Sequence, residues 1–381
     1  MSIKSVSTNE WDFPDEGSHS SITSLHPYPG RFIPAIPNHA ISKYLGTNSG
    51  KHILDPFAGC GTTLVSGKLN GHRVTGIDAS PLASLLQRCY TMQSKSSTVP
   101  HLQELHEKFE HTSNSQEEFS ILEMRLAIPN LNHWFSEQAV RTVDSYLSKV
   151  NLIDSQNAKE MAMLALSRVL VRLSHQQSDT QYRAINNEAD ENDIRRTICN
   201  SLNKVIEVIE KESDENGDFE AEIIHGDSRI ADSFKSVNDV DLVITSPPYP
   251  NAYEYWLYHK YRMFWLGMDP IWLRTNEIGV RPHYSGSGKK GPEDYRADME
   301  AVWENLDNVC NIDATQVWIV GDSVIKGELV DTAKLIIESA AKFEWILVER
   351  NERVLPRNRS SFQGIGRQNK EEVLTFKRND D

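Results

Sequence analysis

Residues 239–256, DVDLVITSPPYPNAYEYW, end an apolar run on a small hydroxyl, two prolines and a crowd of rings. Pro247 and Pro248 fix φ and remove two N–H donors. Ser246-Pro247-Pro248-Tyr249 therefore leaves a rigid row of acceptors, the Ser246 hydroxyl and the adjacent carbonyls, beside an aromatic face. Such a cup suits a flat group carrying an exocyclic NH2, whose two hydrogens meet the acceptors while Tyr249 stacks on its face. Chemistry on a nucleic-acid base needs this kind of grip once the base has left the helix. The plainer reading is that the prolines end a strand and Tyr249 packs in the core.

A second constellation lies upstream. Asp55-Pro56-Phe57-Ala58-Gly59-Cys60-Gly61-Thr62 falls between an apolar strand and a helix start. Gly59 and Gly61 let backbone approach a ligand closely, and the helix N-terminus offers free N–H groups. Asp78 ends the next strand, where a carboxylate can accept from both hydroxyls of a ribose. A dinucleotide site asks for G-x-G-x-x-G, but the third position here is Leu64. Asp55 at the entrance of the turn suits a cationic or amino-bearing group better than phosphate. Both points favour an adenosine ligand without phosphates over a dinucleotide. HGDSR (225–229) places a further acid, Asp227, at another strand end.

Together these residues resemble the amino-group DNA methyltransferases that use S-adenosyl-L-methionine, the N4-cytosine and N6-adenine family with an SPPY-type motif. Asp55-Pro56-Phe57-x-Gly59-x-Gly61-Thr62 looks like its cofactor motif I, and Ser246-Pro247-Pro248-Tyr249 like its catalytic motif IV. HPYPGRFIPAIP (26–37) is similar to the segment that precedes motif I and closes over the methionine part of the cofactor. The resemblance covers roughly 25–95 and 221–378, about 60% of the chain. It implies that Phe57, Ala58, Gly59, Gly61, Thr62, Pro29 and Phe32 line the cofactor site. Asp55 would meet the methionine amino group, Asp78 the ribose and Asp227 the adenine amine. Ser246 and the Pro247 carbonyl would hold the target amine, with Pro248 completing the cup and Tyr249 stacking on the base. A serine at the head of motif IV is typical of N4-cytosine enzymes, which favours that product over N6-methyladenine. An RNA methyltransferase and a non-catalytic nucleic-acid-binding module remain alternatives.

The elements that must position these groups follow from periodicity. HILD, RVTGID, AEIIHGD, VDLVITS, QVWIVGD, FEWILVERN and EEVLTFKR read as strands, with helical stretches between several of them. That alternation predicts a mainly parallel sheet covered on both faces, a doubly wound Rossmann-like α/β methyltransferase sheet. Ser80-Pro81 is a helix start. From 97 to 220 apolar residues recur at three- and four-residue spacing, in SEQAVRTVDSYLSKV, AKEMAMLALSRVLVRLSHQ and DIRRTICNSLNKVIEVIEK. The expected organisation is a polar leader over 1–24, a catalytic domain over 25–96 and 221–381, and a helical insert over 97–220 that recognises the target or supports the region that does.

Composition narrows the class. The chain has 381 residues, of which 39% are hydrophobic and 25% charged. No apolar run reaches the roughly 20 residues of a membrane span. Four scattered cysteines and thirteen histidines form neither C-x-x-C nor H-x-x-x-H, so no metal centre is expected and a reducing cytoplasm fits. The resemblance implies that the cytoplasm is prokaryotic or that of a phage host. Net charge is −14, yet residues 350–378 hold eight Lys/Arg against three Glu. Steering follows the local field, which leaves room for a basic DNA-binding face. Its candidates are Arg357, Arg359 and Arg367, the loop RPHYSGSGKKG with Arg281, Lys289 and Lys290, and Tyr253 beside the cup. Tyr255, Trp256, Tyr258, Tyr261, Phe264 and Trp265 sit at helical spacing and read mostly as core. DNA is the expected partner, and a cognate restriction endonuclease a second.

Overall fold

The computed structural model of the chain describes residues 10–13, 22–31, 33–111, 128–181, 183–212, 219–251, 253–285, 288–354 and 370–379. Seven strands form one sheet in the order β3-β2-β1-β4-β5-β9-β8. They are β1 (His52–Asp55), β2 (Arg73–Asp78), β3 (Ala221–His225), β4 (Val240–Thr245), β5 (Cys310–Val320), β8 (Trp345–Val354) and β9 (Lys370–Arg378). The first five pair in parallel, and β9 runs antiparallel between β5 and β8. A small hairpin, β6 (Ser323–Ile325) with β7 (Glu328–Val330), stands apart from the sheet.

Strand order reverses between β1 and β4, so their carboxyl ends open a crevice, the usual ligand site of a doubly wound sheet. Both strands are short and apolar. Every residue of β1 is buried, as expected for parallel strands covered on both faces. Helices α1 (Ala35–Leu45), α2 (Thr62–Leu69) and α3 (Pro81–Thr91) follow the N-terminal part of the chain. Ile36, Ile41 and Leu64 close a core over Ile53, Leu242, Ile244 and Val317 on one face. On the other face, α10 (Pro292–Val309) and α11 (Thr332–Ala341) bring Trp303 against Trp318, with ring centroids 4.7 Å apart and planes 12° from parallel.

The middle of the chain is helical, as its period predicts: α4 (Val99–Glu110), α5 (Glu137–Asn151), α6 (Gln156–Leu173) and α7 (Glu191–Lys211). Ser136, Ser155 and Asp190 cap the last three by accepting from the backbone N–H three residues on. These helices do not close a core of their own. Leu164, Leu166 and Leu202 share one with Leu85 and Leu86 of α3 and with Tyr261 and Trp265 of α8 (Tyr255–Trp265). No helix among the described residues is long and apolar enough to cross a membrane.

Candidate functional site

The glycine turn is built by what glycine alone permits. Gly59 and Gly61 have φ of +51° and +92°, the left-handed region that side chains avoid. A Cβ on Gly61 would lie 3.2 Å from Cγ of Gln87, so this residue lets α2 start against α3. The turn is then tied to β2. Gly59 N–H donates to Asp78 at 2.8 Å, Ala58 N–H to the Ile77 carbonyl at 3.0 Å, and Gln87 Nε2 to the Gly59 carbonyl at 2.8 Å. The other Asp78 oxygen accepts from Ser80 N–H at 2.8 Å.

Above the turn lies a cleft that opens to solvent, with about 860 Å³ of space when its open mouth is included. Phe57, Ala58, Gly59, Thr62, Asp78, Asp227, Ser246 and Pro248 all face it, so part of the glycine turn, the acid of β2 and two residues of the Ser-Pro-Pro stretch share one cavity. It is also lined by Tyr28, Arg31, Ser80, Tyr255, Asn276 and Glu277, none of which the sequence reading assigned to the site. The aromatic members form a column: Tyr253 stacks on Tyr255, Tyr255 on Tyr28, and Tyr28 on His259, with centroids 5.0–5.6 Å apart. Gly30 makes room for it, since a Cβ there would sit 2.5 Å from the Tyr255 hydroxyl oxygen. HPYPG carries the signal for Tyr28 and Gly30, but their contact with Tyr255 crosses more than 200 residues and has no local trace.

Several expected residues stand elsewhere. Asp55 does not face the cleft. Its buried carboxylate accepts from the hydroxyls of Thr245 and Thr63, both at 2.7 Å, and from Phe57 N–H at 3.1 Å. It joins the ends of β1 and β4 beneath the turn, and burial pushes its pKa up to about 6. A buried carboxylate needs donors, and here the hydroxyls of Thr245 and Thr63 and the Phe57 N–H supply them, away from the cleft. Gly61, Pro29 and Pro247 lie off the cleft surface, the first for the packing reason above. Tyr249 turns away too: a Cβ on Gly321 would meet its ring at 3.0 Å, and its hydroxyl reaches the Ile319 carbonyl and Glu371, each at 3.3 Å. Asp227 faces the cleft but is held at both oxygens by Arg229, which Asp298 binds in turn at 2.8 Å.

Glu277 is the least expected acid. It is 7% exposed and accepts from Tyr255 N–H at 2.9 Å and Trp256 N–H at 3.0 Å, closing the start of α8. A helix N-terminus favours the anion, yet burial outweighs that and lifts its pKa to about 8. Trp256, Tyr258, Tyr261, Phe264 and Trp265 are buried. Of the basic candidates, Arg281 begins a helical turn (Arg281–Tyr284) and is exposed, as is Lys289. Lys290 is tied down, its N–H donating to the His283 carbonyl at 3.1 Å and its ammonium 3.6 Å from Asp298. Arg281–Tyr284 and Lys290 are thus held in place at either end of the basic stretch. Phe32, Arg357, Arg359 and Arg367 lie outside the described residues, as does most of the 1–24 leader.

The architecture is a doubly wound, Rossmann-like α/β sheet. Two curated relatives are type II methyltransferases. M.MjaII of Methanocaldococcus jannaschii is 23% identical over 87% of this chain and 78% of its own length. M.MvaI of Kocuria varians is 25% identical over 60% of this chain, which spans about half (53%) of that relative. No family model matches. Among solved structures, a TehB-like SAM-dependent methyltransferase from Corynebacterium glutamicum aligns over 92% of this chain and 90% of its own, at 10% identity and a TM-score of 0.34. The rRNA methyltransferase aviRa of Streptomyces viridochromogenes aligns over 93% and 88%, at 13% identity and a TM-score of 0.36.

Proposed function

We propose that the chain is a DNA methyltransferase that moves a methyl group from S-adenosyl-L-methionine to the exocyclic N4 amino group of a cytosine flipped out of the duplex. One observation carries this reading: Ser246 and Pro248 open into the same cleft as Phe57, Gly59 and Asp78. A nucleoside ligand and an amine-gripping strand end are thus brought face to face. The two type II methyltransferase relatives support DNA as the substrate.

The residues present fit the cofactor. Each Asp78 oxygen accepts one backbone N–H and keeps a lone pair for a ribose hydroxyl. Phe57 supplies an apolar wall, and Arg31 a cation suited to a carboxylate. Nothing in the turn replaces the third glycine of a pyrophosphate site, in keeping with a ligand that has no phosphates. When bound, the cofactor supplies a methyl group already activated on a sulfonium.

The protein's part is positioning. An aromatic amine is a poor nucleophile because its lone pair is delocalised into the ring. Acceptance of its N–H groups by the Ser246 hydroxyl and a proline carbonyl favours a pyramidal nitrogen whose lone pair can be aimed. Orientation and a preformed polar site then provide most of the acceleration. Extruding the base costs a few kcal/mol, which contacts by Arg281, Lys289 and the undescribed arginines Arg357, Arg359 and Arg367 offset.

Incubation with labelled S-adenosyl-L-methionine and DNA, followed by mass analysis of the nucleosides, should give N4-methylcytosine. N6-methyladenine alone would replace the cytosine reading with its adenine counterpart. Label transferred to RNA in preference to DNA, or to neither, would overturn the assignment.

A further inference from the structure

Methylating an amine leaves one proton too many, which a group beside the cup must take. Resting on the function proposed above, we infer that Glu371 at the start of β9 receives this proton through Ser246 and Tyr249. The three side chains form a chain from the cleft to the far side of the cup. Ser246 Oγ lies 3.2 Å from the Tyr249 hydroxyl, which lies 3.3 Å from Oε1 of Glu371. The direction follows from donor counting. Tyr249 has one hydroxyl proton, and its other two neighbours, the Ile319 carbonyl and an ionised Glu371, only accept. The Ser246 hydroxyl therefore donates to the Tyr249 oxygen, which leaves the serine lone pairs facing the target amine. Such hydrogen bonds are commonly long before substrate arrives and tighten with it.

The step balances. The amine lone pair becomes the new N–C bond and the C–S pair passes to sulfur, leaving a neutral thioether. The pair of one N–H bond stays on nitrogen while its proton goes to Ser246 Oγ. The serine proton moves to Tyr249 and the tyrosine proton to Glu371. One positive charge leaves the cleft and one negative charge is neutralised on Glu371.

The surroundings of Glu371 suit that end point. Arg353 of β8 donates to its other oxygen at 3.1 Å, and this guanidinium is only 3% exposed. The pair is neutral at rest and becomes a lone, immobile cation once Glu371 is protonated. Its strand neighbours are engaged elsewhere: Glu372 binds Arg350 at 2.5 Å, and Lys370 binds Glu352 at 2.6 Å. Asp322, past the end of β5, interacts with Asp331 and Glu372 and is held above its usual range by burial. Burial holds Glu371 above the ordinary carboxylate range, against the pull of Arg353. Its side chain is 18% exposed, enough to hand the proton on to water. Tyr249 is itself held well above its usual pKa by burial, so it passes a proton without dwelling as a phenolate. This gives Tyr249 work in place of base stacking.

Two measurements test the relay. In single turnover with DNA, Glu371→Gln and Tyr249→Phe should each slow methyl transfer about 10²-fold at neutral pH. Cofactor affinity should stay within about threefold in both, and Glu371→Asp should recover part of the rate. The acid limb of the wild-type pH profile should vanish in Glu371→Gln. Independently of turnover, the infrared carboxyl band of Glu371 in the free protein should shift in Tyr249→Phe. Wild-type rates with an unchanged pH profile in Glu371→Gln, or a Glu371 band indifferent to Tyr249→Phe, would overturn the relay. A wild-type chain that methylates no DNA defeats the proposed function instead, and the infrared experiment distinguishes the two failures because it needs no DNA.

Discussion

At the scale of single residues, an acid and a hydroxyl separate binding from chemistry. Asp78 holds the turn through Gly59 and Ser80 and also faces the cleft, so Asp78→Ala should weaken cofactor binding and loosen the turn together. The Ser246 hydroxyl is hydrogen-bonded to Tyr249, not to the turn. Ser246→Ala should therefore lower kcat by about 10²- to 10³-fold, as for loss of one preorganised polar group, while calorimetry finds the cofactor dissociation constant nearly unchanged. Equal loss of both would contradict its role. Glu277 adds a pH dependence. Its pKa in the fold, about 8, lies above the ordinary carboxylate value. Its contribution to stability is thus complete below that ordinary value and lost as pH rises through about 8. A cationic ligand beside it favours the ionised form. The affinity for S-adenosyl-L-methionine relative to neutral S-adenosylhomocysteine should rise from pH 7 to 9, and Glu277→Gln should abolish the rise. A ratio that changes alike in both proteins would remove Glu277 from the cofactor's surroundings.

At the scale of elements, what was legible in the sequence is what is local. The glycine turn, the Ser80-Pro81 helix start and the three capped helices each carry their signal within a few residues, and the fold contains them. The sheet order was legible as a class, because strands alternating with helices leave few arrangements. The committed carboxylate of Asp55, the outward turn of Tyr249 and the column of Tyr28 on Tyr255 depend on neighbours 190, 70 and more than 200 residues away, and no local pattern encodes them. Close packing of α2 on β2 is another such contact. A Cβ on Gly67 would fall 2.4 Å from Cγ1 of Val74, and one on Gly76 2.5 Å from Leu64. Gly67→Ala must push α2 off the sheet, because the opposing atom is a stiff β-branched side chain. Thermal melts should show a loss of about 1–3 kcal/mol, in the range of overpacked cores, with weaker cofactor binding because the turn sits at the start of that helix. An unchanged melting temperature would mean that the helix can slide without cost.

At the scale of the whole molecule, residues 97–220 were expected as a helical insert, and the packing of the helices described there predicts how they behave. A self-contained domain would own its core, whereas these helices share theirs with α3 and α8, the two helices that flank the cleft. Polar contacts follow the same seam. Arg262 of α8 is fully buried and donates to the Ser167 carbonyl of α6 at 2.9 Å and to Asp179, while His26, two residues before Tyr28, meets the Ser167 hydroxyl at 2.8 Å. Removing Arg262 would take a buried charged donor from the Ser167 carbonyl and from Asp179 together, and hydrogen bonds to charged groups are each worth about 1.5–3 kcal/mol. We therefore expect calorimetry to find one cooperative unfolding transition for helices and sheet together. Arg262→Met should lower it as a unit and weaken cofactor binding through Tyr28, although neither Arg262 nor Ser167 faces the cleft. Two separable transitions, or a variant that melts earlier with full cofactor affinity, would show that the helices are an appendage, and target recognition would then be their more natural task than support of the site.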